Sequence, residues 1–118
     1  MYTGLDRRKY SRLSRPFMVR YWISESIDQA DLSVLKDISL GGACLTTYRT
    51  FEKGTKLVLE IKLPGAEIMP TGRVLESKQS AISLPICKTR LEFLDMEETD
   101  RQILDEKLDF FLKDKRKL

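Results

Sequence analysis

Hydrophobic and polar positions alternate with a period of two along most of this chain and change to a helical period near its end. After Pro16, the side chains of Phe17, Val19, Tyr21 and Ile23 alternate with Met18, Arg20 and Trp22, which predicts a first strand with two unlike faces. Residues 24–31 are polar and predict a loop. Leu32 to Leu40 predicts a second strand and Ala43 to Thr47 a third. Between them Gly41-Gly42 predicts a tight turn, because glycine tolerates positive φ. A turn at Lys53-Gly54 precedes the alternation of Leu57, Leu59, Ile61 and Leu63, and Pro64-Gly65 ends that fourth strand. Met69 to Glu76 predicts a fifth, with Pro70 and Gly72 favouring an edge or a bend. A polar loop is expected around Ser77 to Ser80, then a last strand or strand pair from Ile82 to Leu94.

The period then lengthens. Asp95 is a candidate N-cap with Glu98 three residues on, a variant of the capping box. Leu104, Leu108, Phe111 and Leu112 repeat at helical spacing and form one apolar stripe. About six short strands with hairpin signals, followed by one helix, predict a mainly β fold: a small six-stranded antiparallel barrel with a C-terminal helix. The expected division is an N-terminal arm over residues 1–15, a barrel over 16–94, and a helix with a basic tail over 95–118. Tyr21 and Trp22 are expected to pack within the barrel or across its strands.

Composition narrows the function. A chain of 118 residues suits one domain. No apolar run approaches the roughly 20 residues of a membrane helix, and the first residues lack the apolar core of a secretion signal. A cytoplasmic location is therefore expected, and Met1 so close before the arm suggests a whole, short protein. The net charge of +3 is too small to imply a nucleic-acid binder. Its distribution says more. Arg7, Arg8, Lys9, Arg12, Arg15 and Arg20 crowd the first twenty residues, and Lys113, Lys115, Arg116 and Lys117 form a basic tail that suits a solvated helix end. Histidine is absent, and Cys44 and Cys87 are far from a CxxC spacing. Zinc would need more ligands than two thiols, and serine or cysteine nucleophiles would lack an imidazole base. No metal, cofactor or enzymatic activity is expected, and the cysteines read as buried or half-buried free thiols.

Two clusters remain. In the first, Arg8 and Arg12 stand four apart with Arg7 directly ahead. In the second, Asp37-Ile38-Ser39-Leu40-Gly41-Gly42, strand geometry puts Asp37 and Ser39 on one face and Ile38 and Leu40 on the other. Taken alone, each has a plain structural explanation: a solvated basic arm, and a pair of polar residues that bond nearby backbone in a turn. Together they form RxxxR at Arg8 and Arg12 followed by DxSxxG at Asp37, Ser39 and Gly42, and in this the chain resembles the PilZ domain family. The flanks are similar too: DISLGGACL, LPG, GRV at Gly72 to Val74, and LEFLDMEETDRQIL cover the family's usual course over about residues 6 to 112.

The resemblance implies a non-catalytic receptor for the bacterial second messenger cyclic di-GMP, acting on a protein partner in motility, exopolysaccharide production or biofilm formation. It assigns ligand contacts to Arg8, Arg12, Asp37, Ser39 and Gly42, and Arg7 and Gly41, which stand beside the motifs, are expected to join them. The chemistry suits those residues. Arginine is bidentate toward phosphate and toward guanine O6 and N7, and its flat face stacks on purines. Aspartate accepts hydrogen bonds from guanine N–H groups, Ser39 can donate or accept, and Gly42 would let the ligand approach the backbone. The arm over residues 5–15 lacks a core-facing pattern and is expected to close on the ligand like a latch. Arg7 could hold an extra base, which would favour two intercalated ligands over one. Arg73 is either a rim residue of the pocket or a strand-surface arginine. Two alternatives compete: a PilZ-like interaction module without ligand binding, and a small barrel that binds single-stranded nucleic acid. The basic residues sit mostly at the chain ends and the strands carry no aromatic series, so nucleic acid is not the expected partner. A monomer or weak dimer is expected.

Overall fold

The computed structural model describes residues 11–26, 29–81 and 84–113. Seven strands and one helix follow in order: β1 Met18–Ile23, β2 Asp31–Ile38, β3 Gly42–Thr47, β4 Lys56–Leu63, β5 Ala66–Ile68, β6 Thr71–Ala81, β7 Leu84–Asp95 and α1 Glu98–Lys113. All pairings are antiparallel, in the order β1-β2-β3-β7-β6-β4-β5. A further pairing of β1 with β4 joins the ends, Tyr21 opposite Leu59 and Trp22 opposite Val58. Six strands thus close a barrel, which removes the unpaired edges of an open sheet. The short β5 hangs on β4 as a hairpin whose turn places Gly65 at φ +79°.

The expected alternation builds the core. Val19, Tyr21, Leu35, Leu45, Leu57, Leu59, Ile61, Val74 and Leu91 are all buried to within 2% and point inward from six different strands. The helix stripe joins the same cluster: Leu104, Leu108 and Phe111 are buried, with Leu112 packed beside them. Phe17 meets Phe111 with ring centroids 6.1 Å apart, and the Asp100 carboxylate accepts a bond of 2.9 Å from the Met69 backbone N–H, which ties the helix to the end of β5. Acidic Glu98 and Asp100 in the first turn and Lys113 in the last complement the helix dipole.

Two local expectations need correction, and a third resolves to one of its two alternatives. Asp95 ends β7 and does not cap the helix; the first intrahelical bond instead runs from Arg101 N–H to the Glu97 carbonyl. Ser77 to Ser80 is strand, because β7 supplies a hydrogen-bonding partner along it, with Lys78 opposite Lys88 and Gln79 opposite Cys87. Ser77 also belongs to a buried chain of hydroxyls: Thr47 and Thr89 lie 2.8 Å apart, Thr89 and Ser77 2.8 Å apart, and Ser77 accepts from the Phe51 N–H at 3.0 Å. The fifth predicted strand is interior, since β6 pairs with β4 on one side and β7 on the other. The bend at Gly72 is present as a register shift between Thr71 and Gly72.

Two arginines of the basic first twenty residues are structural. Arg20 lies on β1, makes a two-pronged pair with Glu60 at 3.0 and 2.9 Å and stacks over Trp22. That contact raises the guanidinium's pKa and lowers the carboxyl's. Arg15 lies over the Phe111 ring at 4.6 Å. Tyr21 and Trp22 are both buried, in line with the packing expected of them. The tail residues Lys115, Arg116 and Lys117 lie outside the described residues.

Candidate functional site

Arg12 of the first cluster is brought beside the second by a backbone contact of its neighbour Leu13. Leu13 forms an antiparallel bridge with Ile38: Leu13 N–H donates to the Ile38 carbonyl at 2.8 Å, and Ile38 N–H to the Leu13 carbonyl at 3.0 Å. Leu13 is buried in the barrel core, so this part of the arm does carry a core-facing residue, contrary to expectation. In an antiparallel bridge the residue before one partner faces the residue after the other. Arg12 therefore comes level with Ser39, and its side chain stays on the outer surface while Leu13 points inward.

Downstream of Ile38 the chain turns back at Ser39 to Gly42. Ser39 N–H donates to the Gly42 carbonyl at 2.8 Å. The Ser39 hydroxyl accepts from Gly41 N–H at 3.1 Å and sits 3.4 Å from the Gly42 carbonyl. The polar residue thus braces its own turn, as the structural explanation for this pair requires. Gly41 and Gly42 are not at positive φ; Gly54 and Gly65 are. The need for glycine at 42 is instead one of space. A Cβ there would lie 2.1 Å from the Leu91 carbonyl oxygen on the neighbouring β7. The Gly41 carbonyl accepts from Phe93 N–H at 2.8 Å, which binds the turn to β7 as well.

An open concavity of about 620 Å³ lies over this turn. Arg12, Asp37, Ser39, Gly41 and Gly42 line it, together with Arg90, Glu92 and Leu94 of β7, Leu75 of β6, and Met96 and Arg101 at the start of the helix. Its volume falls in the range of small-molecule sites. Arg7 and Arg8 lie outside the described residues. Arg73 does not line the concavity; it is held by Glu92 at 2.8 Å on the strand surface.

Sequence reasoning missed Arg90. Asp37 on β2 is opposite Cys44 on β3, and Cys44 is opposite Arg90 on β7. Residues paired across strands share a face, so Asp37, Cys44 and Arg90 form one row on the outside of the barrel. The Arg90 Nη1 atom is 3.6 Å from Asp37 Oδ1, with both side chains half-buried. Cys44 is fully buried between them, and burial pushes its thiol pKa up, which keeps it neutral and a poor nucleophile. Alternation along β7 would have put Arg90 on an outer face, but only the strand register shows which neighbours share that face.

The site offers guanidinium groups from Arg12, Arg90 and Arg101 and carboxylates from Asp37, Glu92 and Asp95, beside apolar Leu40, Leu75, Leu94 and Met96. Such a surface can hold anionic oxygens, accept hydrogen bonds from N–H groups and cover the face of a planar ring. The family model for the PilZ domain matches residues 6–110.

The chain belongs to the PilZ family.

This PilZ domain is also similar in fold to solved structures. One is the Bacillus subtilis inhibitor of motility (MotI/DgrA), with a TM-score of 0.75 and 22% identity over 92% of this chain and 53% of that one. Another is the PilZ domain of YcgR from Escherichia coli with c-di-GMP, with a TM-score of 0.70 and 16% identity over 95% of this chain and 96% of that one. A third is the K. pneumonia MrkH–c-di-GMP complex, with a TM-score of 0.67 and 22% identity over 96% of this chain and 56% of that one. The PilZ chain described here spans about half the length of MotI and MrkH and nearly matches the isolated YcgR domain. No curated protein matches it in sequence. PilZ domains are non-catalytic, and the chain, as a member of that family, is not an enzyme. Among the described residues, no helix is long and apolar enough to cross a membrane.

Proposed function

We propose that this PilZ domain binds cyclic di-GMP in the concavity over the β2–β3 turn and transmits binding to a protein partner. The observation that carries this is the meeting of Arg12 with Asp37, Ser39, Gly41 and Gly42 around one cavity, although the two clusters are well separated in sequence. Arg12 and Arg8 would take the phosphates, and Asp37 the guanine N–H groups. The described lining carries as many carboxylates as guanidinium groups. A dianionic ligand therefore needs the further cations that the sequence provides at Arg7 and Arg8.

The magnitudes are sufficient. A charge-assisted hydrogen bond contributes about 1.5–3 kcal/mol, and a micromolar dissociation constant needs about 8 kcal/mol. Three or four such contacts with one stacked base reach that value after the cost of ordering the arm. Closure of residues before Leu13 would proceed from the fixed point of the Leu13–Ile38 bridge. The surface around Arg12 and the start of the helix would then change shape, and a partner could read that change.

Titration calorimetry with cyclic di-GMP tests the proposal. A dissociation constant in the micromolar range or below is expected, with two ligands per chain if Arg7 holds an extra base. Arg7→Ala should then return the stoichiometry to one. Wild-type protein that binds one ligand per chain would remove the role of Arg7, and no heat at high micromolar ligand would remove the proposal itself. A titration with a single-stranded oligonucleotide addresses the nucleic-acid alternative, for which the outer strands lack a stacking series.

A further inference from the structure

We propose that Arg90 and Asp37 act together as a guanine-selecting pair, an inference that rests on the binding reading above. The two side chains approach from strands on either side of β3, with Arg90 Nη1 3.6 Å from Asp37 Oδ1, and both line the concavity. At that separation the contact is a loose ion pair without a close hydrogen bond. Each group keeps capacity for a third partner inserted against the pair. The half-buried setting also holds both side chains in place more firmly than an exposed ion pair would.

Such a pair offers a donor and an acceptor side by side. Guanine presents the matching pattern on one edge: an N1–H donor with the O6 acceptor next to it, and N7 further along. Its N–H groups would face the Asp37 carboxylate while O6 and N7 face the Arg90 fork. Adenine presents the reverse, with a bare N1 acceptor beside an N6 amino donor. Adenine in the same orientation would set N1 against the carboxylate and N6 against the guanidinium, so two contacts change from favourable to unfavourable. A site built on hydrogen bonds rejects an analogue that leaves its buried polar groups unmatched far more strongly than an apolar pocket does. The neighbouring charges do not substitute for Arg90. Arg73 is turned away to Glu92 at 2.8 Å, and Arg12 and Arg101 approach from the arm and the helix and not from the barrel wall.

Calorimetry with cyclic di-GMP and cyclic di-AMP on wild type, Arg90→Gln, Arg90→Lys and Arg73→Gln tests the pair, with circular dichroism melting to confirm that each variant folds. Wild type should prefer the guanine ligand by about a hundredfold or more. Arg90→Gln should lose about 10- to 100-fold in affinity for cyclic di-GMP and much less for cyclic di-AMP, so that the preference collapses. Arg90→Lys keeps the charge without the planar fork and should lose most of the preference too. Arg73→Gln removes the same charge nearby and should leave the preference intact. Equal weakening toward both ligands in Arg90→Gln would mark Arg90 as a general cation and overturn the inference. An unchanged affinity for cyclic di-GMP would overturn it as well. In both cases binding by wild type would leave the parent proposal standing, whereas wild type that ignores cyclic di-GMP overturns both.

Discussion

Arg12→Ala is expected to weaken cyclic di-GMP binding at least tenfold, about 1.4 kcal/mol, with no loss of thermal stability. The two halves of this result come from adjacent residues with separate tasks. Leu13 is 3% exposed and carries the packing and the bridge to Ile38. Arg12 is half-buried at the surface and lines the concavity. Removing the guanidinium therefore removes one or more charge-assisted contacts to a ligand phosphate or base and leaves the core intact. Arg8→Ala should behave alike. Lys62→Ala is a suitable control for net charge. Lys62 is exposed on β4, which lies across the barrel from β3, and it sits opposite Glu67 of β5, away from the segment Lys56 to Val58 that pairs with β6. At physiological salt the Debye length of about 8 Å screens so remote a charge, and affinity should stay within about twofold. An Arg12→Ala variant with wild-type affinity would show that the arginine is only part of a solvated arm.

Gly42→Ala is expected to be the most destabilising single-methyl change in the site. The added Cβ would meet the Leu91 carbonyl oxygen at 2.1 Å and the Glu92 Cα at 3.2 Å. Both are backbone atoms of β7, so no side-chain rotation relieves the clash. Gly42 and Glu92 are paired in the β3–β7 ladder, and the turn's bonds from Ser39 N–H to Gly42 and from Phe93 N–H to Gly41 hold the strands together at that point. The strands must separate there. Overpacking of this kind costs about 3 kcal/mol or more, which lowers Tm by roughly 10 °C or more for a domain of this size. Gly54→Ala is the informative comparison. Gly54 has φ +94° but open space around its Cβ direction. Its substitution should cost only about 1 kcal/mol from backbone strain. A Gly42→Ala melting curve within 2 or 3 °C of wild type, as an order-of-magnitude threshold, would contradict the steric account. The same clash explains why the final glycine of DxSxxG needs no ligand to account for it.

Much of this molecule is legible from period alone. The six barrel strands are visible because one face of each is buried, so Leu57, Leu59, Ile61 and Leu63 record their own geometry. The helix stripe is visible for the same reason. Legibility fails where burial does not discriminate. β5 has three residues, too few to show a period. The second half of β6 is polar because Lys78, Gln79 and Ser80 are exposed, and its strand character comes from backbone pairing with β7, which leaves no mark on its own composition. In the site, Asp37 and Ser39 could be placed on one face from local alternation. Arg90 could not be joined to Asp37, because their relation depends on the register of two strand pairs through Cys44. Leu13 was hidden among charged neighbours, although it fixes where Arg12 stands.

The most direct test of the account is the pattern of backbone amide shifts when cyclic di-GMP is added to isotopically labelled protein. The amides of Arg12, of Asp37 to Gly42 and of Arg90 to Leu94 should move and saturate together, while those of β4 and β5 stay in place. Shifts centred on β4 and β5, or none at saturating messenger, would contradict it.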